Sequence, residues 1–148
     1  MFLVSSQLNS NGTLHQLPAR IRVRLVALWT TVMFLYVYGD YFALYIPGEA
    51  GKLVSGNTLL NNPLKVFAAS VLMALPPLVI ILSVLARASV ARWANIIFGV
   101  AFTGNMVLIA VTSMPVTPEV AAYVFYAVME SIVTSGIVWQ AWKWPKAA

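Results

Sequence analysis

The chain has no cysteine, a single histidine (His15) in 148 residues, and only 9% charged residues. The missing thiols exclude disulfides, thiolate metal sites, Cys-x-x-Cys redox chemistry and a cysteine nucleophile. One histidine excludes bis-histidine haem ligation and His-cluster metal sites within one chain, so neither a cofactor nor a metal is expected. Ordinary soluble domains carry about 25% charge; with 61% hydrophobic residues here, a water-soluble globule is excluded as well. Acid is the scarcest charge, with Asp40, Glu49, Glu119 and Glu130 set against nine lysines and arginines.

What the chain has in quantity is long apolar runs. Four stand out at about residues 25–46, 66–86, 93–114 and 120–142. Each is long enough, at ~1.5 Å per residue, to cross a hydrocarbon core of ~30 Å. Lipid offers no partner to an unpaired N–H or C=O, so segments of this length must be helices; barrel strands would be half as long and would alternate in polarity. The predicted fold is an all-α, antiparallel up-and-down four-helix transmembrane bundle over residues 20–148, preceded by a polar, mobile tail at 1–19. The first connection, 47–62, is rich in glycine and asparagine and closed by Pro63, which suits a loop or short interfacial turn. The other two connections, 87–92 and 115–118, are short enough to join only neighbouring helices that reverse direction.

Orientation follows from where the basic residues fall. Arg20, Arg22, Arg24, Arg87, Arg92, Lys143 and Lys146 flank one side, against Lys52 and Lys65 on the other. Positive residues stay inside, so both termini are expected in the cytoplasm, with the basic flanks facing anionic lipid headgroups and no nucleic acid as partner. Trp93, Trp139, Trp142 and Trp144 fall at that same boundary as membrane anchors, and Trp29 lies about one turn inside it. All six tyrosines fall in the opposite halves of the first and last spans, where a phenol hydroxyl needs a partner. The apolar run after the first arginines is too long for a cleavable leader and ends without a small-residue cleavage site.

Polar groups inside the spans carry what functional signal there is. Asp40 lies about 9 Å, six residues, inside the first span, and Glu130 sits near the middle of the fourth. A charged side chain at the centre of a bilayer costs roughly 2.5–3.5 kcal/mol on insertion scales, so an intramembrane acid points to function and to the bundle interior. Helical spacing aligns Trp29, Met33, Tyr36 and Asp40 on the first span, Asn95, Phe98, Phe102 and Asn105 on the third, and Tyr123, Tyr126, Glu130 and Thr134 on the fourth. If these stripes face one another, Asp40, Glu130, Asn105, Tyr36 and Tyr126 form a polar, ligand- or ion-binding pocket opening outward. Pro76 and Pro77 remove the N–H groups that would bond to the carbonyls of Leu72 and Met73, so a kink and free acceptors are expected at the depth of Glu130. Gly99 and Thr103, four apart, read as a close helix contact.

The run from Tyr36 to Gly48, with its Tyr-x-Tyr-Gly-Asp, the segment Asn95–Gly99, and the end of the fourth span with Tyr126, Glu130 and the Ala141-Trp-Lys-Trp-Pro145 sequence resemble a family of small bacterial four-span membrane proteins with no assigned activity. The resemblance implies a bacterial plasma (inner) membrane protein and no particular reaction. The chain lacks the first-span glutamate of small multidrug exporters, the cysteine pairs of quinone reductases and the arginine-rich signature of membrane glutathione transferases. Two functions fit the residues. One is binding or transport of a proton, small cation or small polar solute, which for a bundle this thin implies a homo-oligomer. The other is a structural or accessory subunit of a larger membrane complex. An enzyme is the lesser expectation, since no nucleophile or metal constellation accompanies the acids.

Overall fold

The structure, a computed structural model, describes residues 2–118 and 120–144, with side chains described from Ala19 onward. Pro145 and Lys146, part of the motif and of the charge count, and the side chains of the first eighteen residues, His15 included, lie outside the described residues. Five helices follow one another: α1 (Phe2–Ala43), α2 (Glu49–Val54), α3 (Pro63–Leu85), α4 (Ala88–Thr112) and α5 (Ala121–Trp142). No strand occurs among the described residues. Four stretches are long and apolar enough to cross a membrane: Ala19–Ala43, Pro63–Leu85, Ala88–Thr112 and Ala121–Trp142. At ~1.5 Å per residue each exceeds the ~30 Å hydrocarbon thickness.

The helix ends depart from the hydropathy pattern where local chemistry intervenes. α1 is helical in backbone from Phe2 and stops at Ala43, three residues short of the expected Ile46, ahead of Pro47 and Gly48. The first connection is not all loop, because it contains the short α2 between Gly48 (φ 90°) and Gly56 (φ 72°), whose left-handed backbone only glycine adopts without strain. α3 begins at Pro63 instead of Val66. Asn62 caps it, its side-chain oxygen accepting from the Leu64 N–H at 2.9 Å, and Pro63 fills the first position where no donor is needed. Asn62→Ala is therefore expected to lower stability by about 1 kcal/mol, read by denaturant unfolding in detergent, whereas Asn61→Ala, which loses only a surface bond to Lys65, should change it by less than about 0.5 kcal/mol.

α1 packs on α3 and α5, and α4 packs on the same two, most heavily on α5, so the four long helices close into a ring. The main core cluster lies toward one end of the ring. There Leu25, Trp29 and Val32 of α1 meet Val79 of α3, Ala91 and Ile96 of α4, and Ile137 and Ala141 of α5. Gly99 permits the close approach of α4 to α5: a Cβ built on it would fall 2.8 Å from a Val138 methyl. Beside it Thr134 Oγ1 donates to the Glu130 carbonyl at 2.8 Å and lies 2.7 Å from Thr103 Oγ1, which also reaches the Gly99 carbonyl at 2.8 Å.

Two arginines at this end turn inward instead of toward headgroups. Arg22 donates to the carbonyls of Ser83 (2.7 Å), Val84 and Ala86 (both 2.9 Å) at the end of α3. Arg92 donates to those of Ala141 (3.3 Å) and Trp142 (3.4 Å) at the end of α5. The last carbonyls of a helix have no intrahelical donors and carry partial negative charge, so a guanidinium there satisfies both needs. Trp144 is no interfacial anchor either: it is 3% exposed, with Arg22 held 5.4 Å over its ring. Trp93, Trp139 and Trp142 remain exposed at the helix ends.

Candidate functional site

Away from the packed end, the ring opens into a cavity of about 390 Å³. Each wall follows from helical spacing. Tyr36 and Asp40, one turn apart, come from α1, and Tyr123, Tyr126 and Glu130, spaced by three and four, from α5. Asn105 and Met106 come from α4, Leu72 and Met73 from α3, and Leu59 and Leu60 reach in from the loop before α3. All five residues singled out by the sequence (Asp40, Glu130, Asn105, Tyr36 and Tyr126) line this one space.

Its polar groups are unspent. Glu130 is 3% exposed, and among the described residues no hydrogen bond or ion pair reaches its carboxyl. The Tyr36 hydroxyl is buried without a partner among the described residues and lines the same cavity as Glu130 and Asp40. Tyr41 and Tyr45, farther out, satisfy each other through a 2.6 Å hydroxyl contact. Among the described residues no lysine or arginine lines the cavity. A buried acid is ordinarily paired or bound to a cation; here buried Glu130 shares its cavity with phenols, an amide, the more exposed Asp40 and apolar wall.

The floor is closed by aromatic packing and a saturated polar cluster. The Tyr36 ring lies 6.1 Å from Phe102, which stands edge-on to Trp29 at 5.7 Å. Beneath it the Trp29 indole N–H donates to Asn95 Oδ1 at 2.8 Å, and the Asn95 amide donates to Ser83 Oγ and the Ala91 carbonyl, both at 2.7 Å. Ser83 in turn donates to the Val79 carbonyl at 2.7 Å. Every donor and acceptor of Asn95 in this cluster is used. Asn95 therefore ties α1, α3 and α4 together, while Asn105, ten residues on, stays free to line the cavity.

At its outer end the cavity adjoins a larger recess of about 660 Å³ beneath α2 and its flanking loops, with Asp40, Leu59 and Leu60 common to both. Lys52 and Lys65 line this recess, but Lys52 pairs with Glu49 and Lys65 bonds Asn61 at 3.0 Å. Asp40 thus stands at the junction and Glu130 at depth.

Pro76 and Pro77 do not end α3, which continues as one helix to Leu85. The carbonyls they deprive of donors belong to Leu72 and Met73, the α3 residues on the cavity wall. Sequence reasoning overlooked Leu59 and Leu60, whose only signal was an apolar pair inside a polar loop, and left Tyr123 on its stripe without placing it in the pocket. Among the described residues no group of three or more metal-binding side chains converges. Compared with protein-family models, curated proteins and solved structures, the chain matches none.

Proposed function

We propose that this chain is a bacterial plasma-membrane protein, crossing the bilayer four times as antiparallel helices with both termini in the cytoplasm, and that it binds and carries a proton, a small cation or a small polar solute in the cavity of Tyr36, Asp40, Asn105, Tyr126 and Glu130. One observation carries the reading: Glu130 is buried, unpaired and open to a cavity with no cation of its own. An uncompensated acid in the middle of a span costs too much to keep for packing alone, since a neutral side chain of the same shape would pack as well.

The orientation draws on the charge pattern and on the two inward arginines. Arg22, early in the first span, reaches the end of α3, and Arg92, early in α4, reaches the end of α5, as alternating helix directions require. The excess of basic residues at that end favours the cytoplasm, which points the cavity outward. Because one four-helix bundle is thin for a complete conduction path, passage across the membrane would use a homo-oligomer.

Glu130→Gln keeps the shape and removes the titratable proton. Reconstituted in liposomes, the variant is expected to retain normal folded yield and to lose proton or cation flux at least tenfold, a change of about 1.4 kcal/mol in the governing free energy. Loss of folded yield with no flux in either protein would instead show an acid that serves architecture, as expected of an accessory subunit.

A further inference from the structure

We propose that the ligand of this cavity is an organic cation, an ammonium group bearing an apolar substituent, in place of a bare metal ion. The inference rests on the cationic reading above and narrows it. A water molecule occupies roughly 30 Å³ in the liquid, so a space of about 390 Å³ is more than ten times too large for an unhydrated ion. It falls within the roughly 300–1,000 Å³ of sites that take small organic molecules.

The wall chemistry agrees with the size. A bare cation needs oxygen ligands drawn close on every side, whereas the side-chain oxygens here (Tyr36, Asp40, Asn105, Tyr123, Tyr126 and Glu130) are spread over the wall of a space this wide and alternate with side chains that offer none. The remainder is hydrocarbon, sulfur and aromatic ring. Met73 and Met106 are adaptable contacts for a variable substituent. Tyr126, stacked on Phe42 at 6.3 Å and 15°, is among the lining residues, and aromatic faces attract a desolvated ammonium. The buried, partnerless Glu130 carboxyl and Tyr36 hydroxyl supply counter-charge and a polar contact at depth. The apolar substituent then lies along Leu72, Met73 and the loop leucines toward the outer recess.

Titration of the full chain in nanodiscs with benzyltrimethylammonium chloride, followed calorimetrically with sodium and potassium chloride as competitors, tests this directly. The expected result is saturable binding, at least tenfold weaker in Glu130→Gln and several-fold weaker in Tyr126→Leu, with little competition from excess sodium or potassium. Should Glu130→Gln fail to fold by size exclusion, Asp40→Asn, a substitution at the exposed rim, is expected to weaken binding measurably and serves in its place. Sodium or potassium binding that depends on Glu130, without binding of the organic ion, overturns this inference and leaves the broader cation reading standing. Absence of any cation binding, together with unchanged flux in Glu130→Gln, removes both. Organic-ion binding indifferent to all three substitutions is partition into lipid and also overturns the inference.

Discussion

Trp29→Ala should be the most damaging single truncation in the bundle, lowering its stability by about 3 kcal/mol. Aromatic-to-alanine changes in water-soluble cores cost roughly 3–5 kcal/mol, part of it transfer from water and part of it the cavity left behind. In a bilayer the separated helix keeps its indole in hydrocarbon, so the transfer part shrinks and the packing and hydrogen-bonding parts remain. Both are large at this position. Trp29 is 0% exposed, stands edge-on to Phe102, and gives Asn95 Oδ1 its only donor among the described residues. Interhelical hydrogen bonds in membranes average about 0.6 kcal/mol and reach about 1.7, so Trp29→Phe, which keeps a ring and loses the N–H, should cost about 1 kcal/mol. Unfolding by sodium dodecyl sulfate titration in mixed micelles measures both. Values for the two variants within about 0.5 kcal/mol of the parent, the size of an ordinary surface change, would mean that the packed end contributes little.

Gly99→Leu is the second large effect, again about 3 kcal/mol, the upper end for side chains forced into a filled space. A Cβ alone at this position meets a Val138 methyl at 2.8 Å, with Ile137 and the Thr134 carbonyl 3.6 Å away. α4 and α5 must therefore separate, and the 2.7 Å Thr103–Thr134 contact goes with them. Gly104 supplies the comparison, having nothing within 4 Å of its would-be Cβ. Gly104→Leu should leave the same unfolding curve within about 0.5 kcal/mol of the parent. Equal losses at both positions would point to helix propensity or insertion as the cause, and away from the α4–α5 contact.

Much of the fold is legible in the sequence because a bilayer asks little beyond length and apolarity. Residues 66–86 and 120–142 read as helices before any packing is considered, and α3 and α5 cover nearly the same stretches. Boundaries are harder, since they depend on single capping residues: Asn62 and Pro63 start α3 earlier than hydropathy alone indicates. Within the candidate site, Tyr36, Asp40, Tyr126 and Glu130 fall together because a 3.6-residue period fixes which side chains share a face. Asn95 shows the limit of that rule. It shares a stripe with Asn105, yet joins Trp29 and Ser83 in the packed end, because periodicity gives a face and not a depth-dependent partner. Arg22, Arg92 and Trp144 were misread for a related reason. Interfacial statistics describe where such side chains sit, while helix ends left without donors decide where they point.

The sealed floor has a kinetic corollary. Phe102, Trp29 and the Asn95 cluster fill the axis beyond Tyr36, so the conformation described leaves no passage along the axis through the packed end. On the proposed carrier reading, a molecule admitted past Leu59 and Leu60 would leave on the side from which it came. Delivery to the far compartment then becomes a question of how fast the indole and phenyl rings swing aside, so turnover would be paced by that rearrangement and not by arrival at the mouth.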